Sequence, residues 1–410
     1  MKNIRKFLKQ FTYPPAAKPV ATKQAEWVSA AGKKIPVFVN EYWTAKQRQA
    51  NALHEVSYRA CFKPQLPAFF IENFTQPGEL VLDPFSGRGT TALQAALSGR
   101  RVAANDVNPL SRMLCEPRLS PPDLALLKKR LDSIPMQQQL KPEMDLSMFF
   151  EKKTLAEILS IRAYLQQRLQ NRAFDSIDAW IRMVATNRLT GHSPGFFSVY
   201  TLPPNQAASP ARQKKINADK QQQPPYRNTR DIILRKSRQL IKNLNEQEVH
   251  HLQQAAVHSC FLTGDAAHLK GIKDNTVALT VTSPPFLDVV QYAADNWMRC
   301  WFNHIDAAQI EAGITMAKTL PDWNRKMTAV IAEIYRVTQS GGLLAFEVGE
   351  VRGGKIKLEE PVVEIGLSVG FQCEAIMINQ QVFTKTSNIW NVSNNDKGTN
   401  SNRIVIFKKK

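Results

Sequence analysis

Apolar positions along the chain follow two rhythms. Short apolar runs that stop at Gly, Pro or an acid occur near residues 79–82, 101–105, 260–263, 277–281, 343–348 and 403–407, and predict buried strands. Between the first two lies a helical stretch, 90–97, closed by Gly99, so the chain opens a parallel sheet in strand–turn–helix–strand order. That rhythm breaks after Leu110. From 116 to 180 the pattern is helical, with Leu155, Ile158, Leu159, Ile161, Tyr164 and Leu165 on one 3.6-residue stripe. A turn-rich stretch at 190–228 precedes a basic helix at 229–243, and helices are expected near 290–302 and 323–337. The pair Gly341-Gly342 leads into the strand at 343–348. Residues 1–35, broken by Pro14, Pro15 and Pro19, read as an arm of little periodicity, and 38–74 as amphipathic and mostly helical. The expected layout is a basic N-terminal arm (1–50), the first part of an α/β domain (51–115), a helical basic insert (116–255) and the rest of the α/β domain (256–410).

Composition narrows the class. With 410 residues and 43% hydrophobic content the chain can bury a full core, and no apolar run reaches the ~18 residues of a membrane span. The basic N-terminus meets prolines before an apolar segment forms, which argues against a secretory signal and for a cytoplasmic location. Cys61, Cys115, Cys260, Cys300 and Cys373 are widely spaced and lack any C-x-x-C, so neither a disulfide framework nor a zinc module is expected, and no metal site. The formal charge of +19 is concentrated. Residues 1–40 hold eight Lys or Arg against one acid, and residues 182–242 hold twelve against two. One-sided blocks of this kind suit a phosphate backbone, which rewards them by counterion release.

Three motifs carry chemistry. The run Val81-Leu82-Asp83-Pro84-Phe85-Ser86-Gly87-Arg88-Gly89-Thr90-Thr91 places an acid and a glycine turn at the end of the first strand, where a ligand can lie against the backbone. No Lys follows the last glycine, so it is not a P-loop; Ala92 occupies the place of the third Rossmann glycine, and Asp83 suits a cation better than a pyrophosphate. Asp106 ends the second strand, where a ribose diol is gripped in adenosine-containing ligands. Thr282-Ser283-Pro284-Pro285-Phe286 ends a later strand; its prolines donate no hydrogen bond, which leaves carbonyls and the Ser283 hydroxyl to meet an amino group, and Phe286 offers a stacking face.

Together these motifs resemble the S-adenosylmethionine-dependent DNA amino-methyltransferases, which act on cytosine N4 or adenine N6. The resemblance covers residues 50–110 and 258–350. It implies a Rossmann-like, mostly parallel seven-stranded sheet interrupted by the basic insert. It also implies S-adenosyl-L-methionine as cofactor, held by Asp83, Pro84, Phe85, Gly87, Gly89, Thr90, Thr91, Asp106, Asp265 (adenine) and Phe62, in a segment (58–71) that closes over the methionine end. Ser283, Pro284, Pro285 and Phe286 match the catalytic tetrapeptide, and Ser before the prolines favours cytosine N4; adenine enzymes usually carry Asp or Asn there. Carbon-5 chemistry needs a nucleophilic Cys, in that family within a Pro-Cys pair, and no Pro-Cys occurs.

The expected partner is double-stranded DNA with its target base flipped out, with no membrane; whether a cognate restriction endonuclease acts separately on the same site is left open by the sequence. Arg188, Arg212, Lys214, Lys215, Arg227, Arg230, Arg235, Lys236 and Arg238 are the candidate phosphate contacts, and Asn187, Arg188, His192, Asn205 and Gln206 the candidate base readers. The histidines show no metal spacing, and Trp297, Trp301 and Trp323 read as core packing.

Overall fold

The computed structural model describes residues 3–12, 21–43, 50–58, 61–285, 292–313, 317, 319–351, 356–380 and 401–410. Its strands are β1 (Lys23–Val28), β2 (Lys34–Asn40), β3 (Leu80–Asp83), β4 (Arg101–Asp106), β5 (Cys260–Thr263), β6 (Val277–Thr282), β7 (Thr338–Val348), β8 (Glu350–Val351), β9 (Ile356–Lys357), β10 (Gln372–Gln380) and β11 (Ser401–Lys408). Nine of them form one sheet in the order β1-β2-β10-β11-β7-β6-β3-β4-β5, and β8 and β9 form a separate ladder. From β5 to β7 all neighbours are parallel; β11 runs antiparallel to both β7 and β10. The expected seven strands are thus present, with two more added at one edge.

Those two come from the N-terminus, so residues 23–40 are not an arm. β2 pairs in parallel with β10, from Val37 opposite Ile376 to Asn40 opposite Asn379, and buries Ile35 and Phe38. The partner strand lies more than 300 residues away, and β1 is an exposed edge carrying Lys, Gln and Glu, so no local alternation announces the pair. The mostly helical reading of 38–74 holds only for its second half, where the helix Gln65–Phe74 buries Leu66, Phe69, Phe70 and Phe74. Gly341-Gly342 lies within β7 rather than before it. A Cβ on Gly342 would come within 2.9 Å of the Val277 and Gln339 carbonyls, at the point where the β6–β7 register shifts.

The order of the sheet fixes where a ligand can sit. The chain winds outward from β3 through β4 to β5, then returns to place β6 on the other side of β3. The winding reverses between β3 and β6, and the crevice beyond their carboxyl ends is where open α/β sheets bind ligands. The helix Thr90–Leu97 follows β3 and packs its alanines against the sheet.

The insert is helical, as its periodicity predicts: Leu124–Ser133, Lys152–Gln170, Ser176–Arg188, Thr229–Ile241 and Glu246–His258. The turn-rich reading of 190–228 misses a further helix, Pro210–Asp219, in which Pro210 stands in the first turn and the Ser209 hydroxyl caps the Arg212 N–H. The insert shares one apolar core with the sheet, joining Trp180, Ile181, Ile232 and Leu252 to Val81, Leu93 and Val102.

Candidate active site

Asp83 is the last residue of β3 and Thr282 the last of the adjacent β6. The Thr282 hydroxyl donates to Asp83 Oδ1 at 2.7 Å, and the Phe85 N–H reaches the same oxygen at 3.2 Å. The glycine turn and the Ser-Pro-Pro motif therefore leave neighbouring strands on the same edge of the sheet. Burial pushes the Asp83 carboxyl up to about 7, against the opposing pull of these donors, and nearby Asp106 adds to the rise. Asp106, one strand further out, accepts the Gly87 N–H at 2.8 Å and the Asn108 N–H at 2.9 Å, and burial lifts it to about 6. One buried and one half-buried acid at the mouth of one crevice form a site that a cation or a diol would satisfy. Asp265 is exposed and accepts the Ala267 N–H at 2.9 Å, capping the turn after β5.

The two glycines of the turn serve different ends. Gly87 (φ +50°) faces the Tyr58 ring and Cys61 Sγ at ordinary contact distances, 3.5 and 3.4 Å from where its Cβ would stand. Gly89 (φ +75°) lies against the interior instead, and a Cβ there would fall 2.2 Å from Cys115 Sγ. Pro84 offers its carbonyl to Asn105 Nδ2 at 3.1 Å. Phe85, half-buried, packs on the far apolar cluster around Trp323 and Phe346. Thr90 Oγ1 accepts from Arg88 Nε at 3.1 Å, while the Thr91 hydroxyl donates to the Val281 carbonyl at 3.1 Å and ties the turn to β6. Phe62 is half-buried, and its carbonyl accepts from Arg88 at 3.4 Å.

On the other half of the crevice Ser283 is half-buried and Pro284 buried; Phe286 lies outside the described residues. Two partners of this motif have no local signature in the sequence. Trp323 donates its indole N–H to the Pro285 carbonyl at 3.0 Å, which fixes the second proline from a helix about 40 residues later. Glu347, on β7 beside the end of β6, is hydrogen-bonded by the Ser283 hydroxyl and, at 2.8 Å, by Asn402 Nδ2; burial still raises its carboxyl. An acid inside the apolar run Leu343 to Val348 is the signal that would have flagged it.

The positively charged block divides. Arg212, Lys214, Lys215, Arg235 and Arg238 are exposed, Lys214 standing 3.9 Å from Asp145. Four others are less open to a phosphate backbone, Arg188 and Lys236 being buried and Arg227 and Arg230 half-buried. Arg188 is buried over the Phe196 ring at 4.1 Å, and burial lowers it to about 10. Lys236 is buried against Glu55 at 2.8 Å. Arg230 donates to the Ile134 carbonyl at 2.6 Å, and Arg227 is half-buried beside Thr154, which exchanges hydrogen bonds with its backbone. Among the base-reader candidates, Asn187 is buried and bonded to the Met183 carbonyl, while His192 is exposed. Asn205 sits on a loop fastened to the helix Tyr292–Phe302 by Trp297 to the Ala208 carbonyl (3.2 Å) and by Arg299 to the Pro204 carbonyl (2.6 Å). Among the described residues no helix is long and apolar enough to cross a membrane, and no group of three or more His, Cys, Asp or Glu could hold a metal.

Residues 7–110 match the DNA methylase family of N6 and N4 enzymes. The matched stretch takes in β1 to β4 and the glycine turn. A Type II methyltransferase, M.MjaII of Methanocaldococcus jannaschii, is 28% identical over 110 residues, which is 27% of this chain and 21% of that protein. The chain thus matches about a fifth of the relative's length. Both findings support the amino-methyltransferase family. Among solved structures, a DNA modification methylase candidate from Thermus thermophilus is 21% identical over 36% of this chain and 50% of that one, with a TM-score of 0.22. A TehB-like S-adenosylmethionine-dependent methyltransferase from Corynebacterium glutamicum is 10% identical, covers 84% of this chain and 87% of that one, and has a TM-score of 0.30.

Proposed function

We propose that the protein is a DNA methyltransferase that uses S-adenosyl-L-methionine to methylate the exocyclic N4 of a flipped-out cytosine, in a restriction-modification or DNA-protection setting. The observation that carries this reading is the hydrogen bond from Thr282 to Asp83, which sets the acid-and-glycine turn beside the Ser-Pro-Pro motif at the reversal of the sheet. The cofactor supplies an electrophilic methyl group on a sulfonium centre. Asp106 would take its ribose hydroxyls, Asp265 its adenine, and Asp83 the positively charged end, over the bare backbone of Gly87. Ser283 Oγ and the Pro284 carbonyl would accept hydrogen bonds from the amino protons and hold the nitrogen lone pair out of conjugation with the ring. Glu347 keeps the Ser283 O–H turned away from the amine, so that the hydroxyl oxygen faces it as an acceptor, and offers a sink for the proton released on methylation. Incubating the protein with DNA and labelled cofactor, followed by nucleoside analysis, tests the reading: N4-methylcytosine supports it, N6-methyladenine transfers the site to the other amino group, and no DNA product overturns it.

Two further results are expected. Both acids are raised above their unfolded values, so the folded protein binds more protons than the unfolded chain between about pH 4 and 7. Their contribution to stability is therefore greatest at low pH and is lost as pH rises through about 7. A bound cation reverses that penalty. The preference for S-adenosylmethionine over its uncharged thioether product should thus rise from pH 5.5 to pH 8, about tenfold; a flat ratio in calorimetry would place the positive charge away from Asp83. Second, replacing Arg235 and Arg238 by Gln should lower the slope of log affinity against log salt by up to about 1.8. An unchanged slope would locate the DNA on another face.

A further inference from the structure

Arg88 stands between the two glycines of the turn and is almost fully buried. Its guanidinium reaches Thr90 Oγ1 (Nε, 3.1 Å), the Val56 and His54 carbonyls (Nη1, 3.0 and 3.4 Å) and the Phe62 carbonyl (Nη2, 3.4 Å). Every one of these partners is a neutral oxygen. A buried cation surrounded by backbone carbonyls is a costly arrangement for packing alone, and its one structural effect here is to gather three carbonyls of the segments 54–58 and 61–62 onto the turn. Arg118, fully buried, completes the fastening: it donates to the Leu53 carbonyl at 3.0 Å, to the Leu114 carbonyl at 2.9 Å and to the carbonyl of Arg88 itself. The gathered segments carry Tyr58 and Cys61, the side chains that face Gly87. On the other side the Ser57 carbonyl accepts from Arg299 at 2.9 Å, on the helix that follows the catalytic motif.

We propose that Arg88 is a positioning residue that fastens the segments 54–58 and 61–62 against the cofactor turn, so that the cofactor side of the turn is shaped for binding only while these hydrogen bonds hold. The inference rests on the cofactor reading above. Only the planar five-donor fork of Arg can serve Thr90 and three separate carbonyls at once; a Lys at the same place keeps the charge and loses the spread of donors.

The test uses the full chain with S-adenosylhomocysteine as probe. Wild-type protein should bind it in calorimetry and show ligand-dependent protection of the amides of residues 55–63 from hydrogen exchange. Arg88→Ala should weaken binding about tenfold or more and abolish that added protection. Its KM for S-adenosylmethionine should rise by a similar factor while kcat at saturation falls much less, and Arg88→Lys should recover little of either. Thr90→Val, which removes the acceptor that orients Nε, gives a second measurement if Arg88→Ala fails to fold: it should weaken binding about threefold and lower the added protection of residues 55–58 and 61–63, which loss of a direct Thr90 contact to the cofactor would leave unchanged. Probe affinity within twofold of wild type in a folded Arg88→Ala, or unchanged protection of 55–63, overturns the proposal. Failure of the wild-type protein to bind the probe overturns the cofactor reading itself, a result distinct from either.

Discussion

Ser283→Ala should lower kcat by about 10² to 10³ while changing cofactor affinity by less than about twofold. The asymmetry follows from the geometry. Ser283 lies beyond the end of β6, and its hydroxyl is engaged with Glu347 on the side of the crevice away from Asp106 and Gly87. Removing it leaves the Thr282–Asp83 bond intact, because that contact belongs to the preceding residue. On the proposed function, what would be lost is an acceptor for an amino proton at the moment the nitrogen lone pair is needed, together with the path by which that proton would reach Glu347. Stopped-flow turnover and calorimetry on the same preparation read the two effects separately. A parallel loss of both would mean that the hydroxyl holds the strand end in place and has no part in the chemistry.

The parts of the site legible in the sequence are those built from adjacent residues. Asp83, the turn glycines and Ser283-Pro284-Pro285 announce themselves because a strand end, a turn and a ligand contact all fall within a few positions. Glu347 and Trp323 act on the same motif from distant segments, and only the pairing of β6 with β7 and the packing of the helix Leu320–Val337 bring them there. Strand β2 is hidden for the same reason, since it joins the sheet through β10, and β1 pairs with β2 as an exposed edge. The charge blocks show a different limit. Composition counts Arg188 and Lys236 as surface cations, whereas the fold uses the first to cover Phe196 and the second to neutralise Glu55. Long basic side chains bury readily along apolar surface, so a positive block is an upper bound on the charge offered to a phosphate backbone.

The two glycines of the turn should respond oppositely to alanine. At Gly89 a methyl would stand 2.2 Å from Cys115 Sγ and 2.6 Å from Cys115 Cβ, inside a fully buried contact. Overpacking of that kind costs about 1–3 kcal/mol, and the left-handed backbone adds roughly 1–2 kcal/mol for any residue with a Cβ. Gly89→Ala should therefore destabilise the fold by about 2–5 kcal/mol in urea unfolding, a large share of the stability of an ordinary domain. Pairing it with Cys115→Gly removes both close atoms and should recover the packing part, leaving the backbone part. At Gly87 the nearest atoms stand 3.4 Å and 3.5 Å away and belong to Cys61 and Tyr58, so alanine there meets no clash and only the backbone penalty applies. Its methyl would instead occupy space between the turn and the side chains that cover it. Gly87→Ala should thus cost only the backbone part, roughly 1–2 kcal/mol of stability, and much cofactor affinity. A Gly89→Ala protein as stable as wild type, or a Gly87→Ala protein that binds cofactor normally, would show that the turn is not shared in this way between interior and ligand.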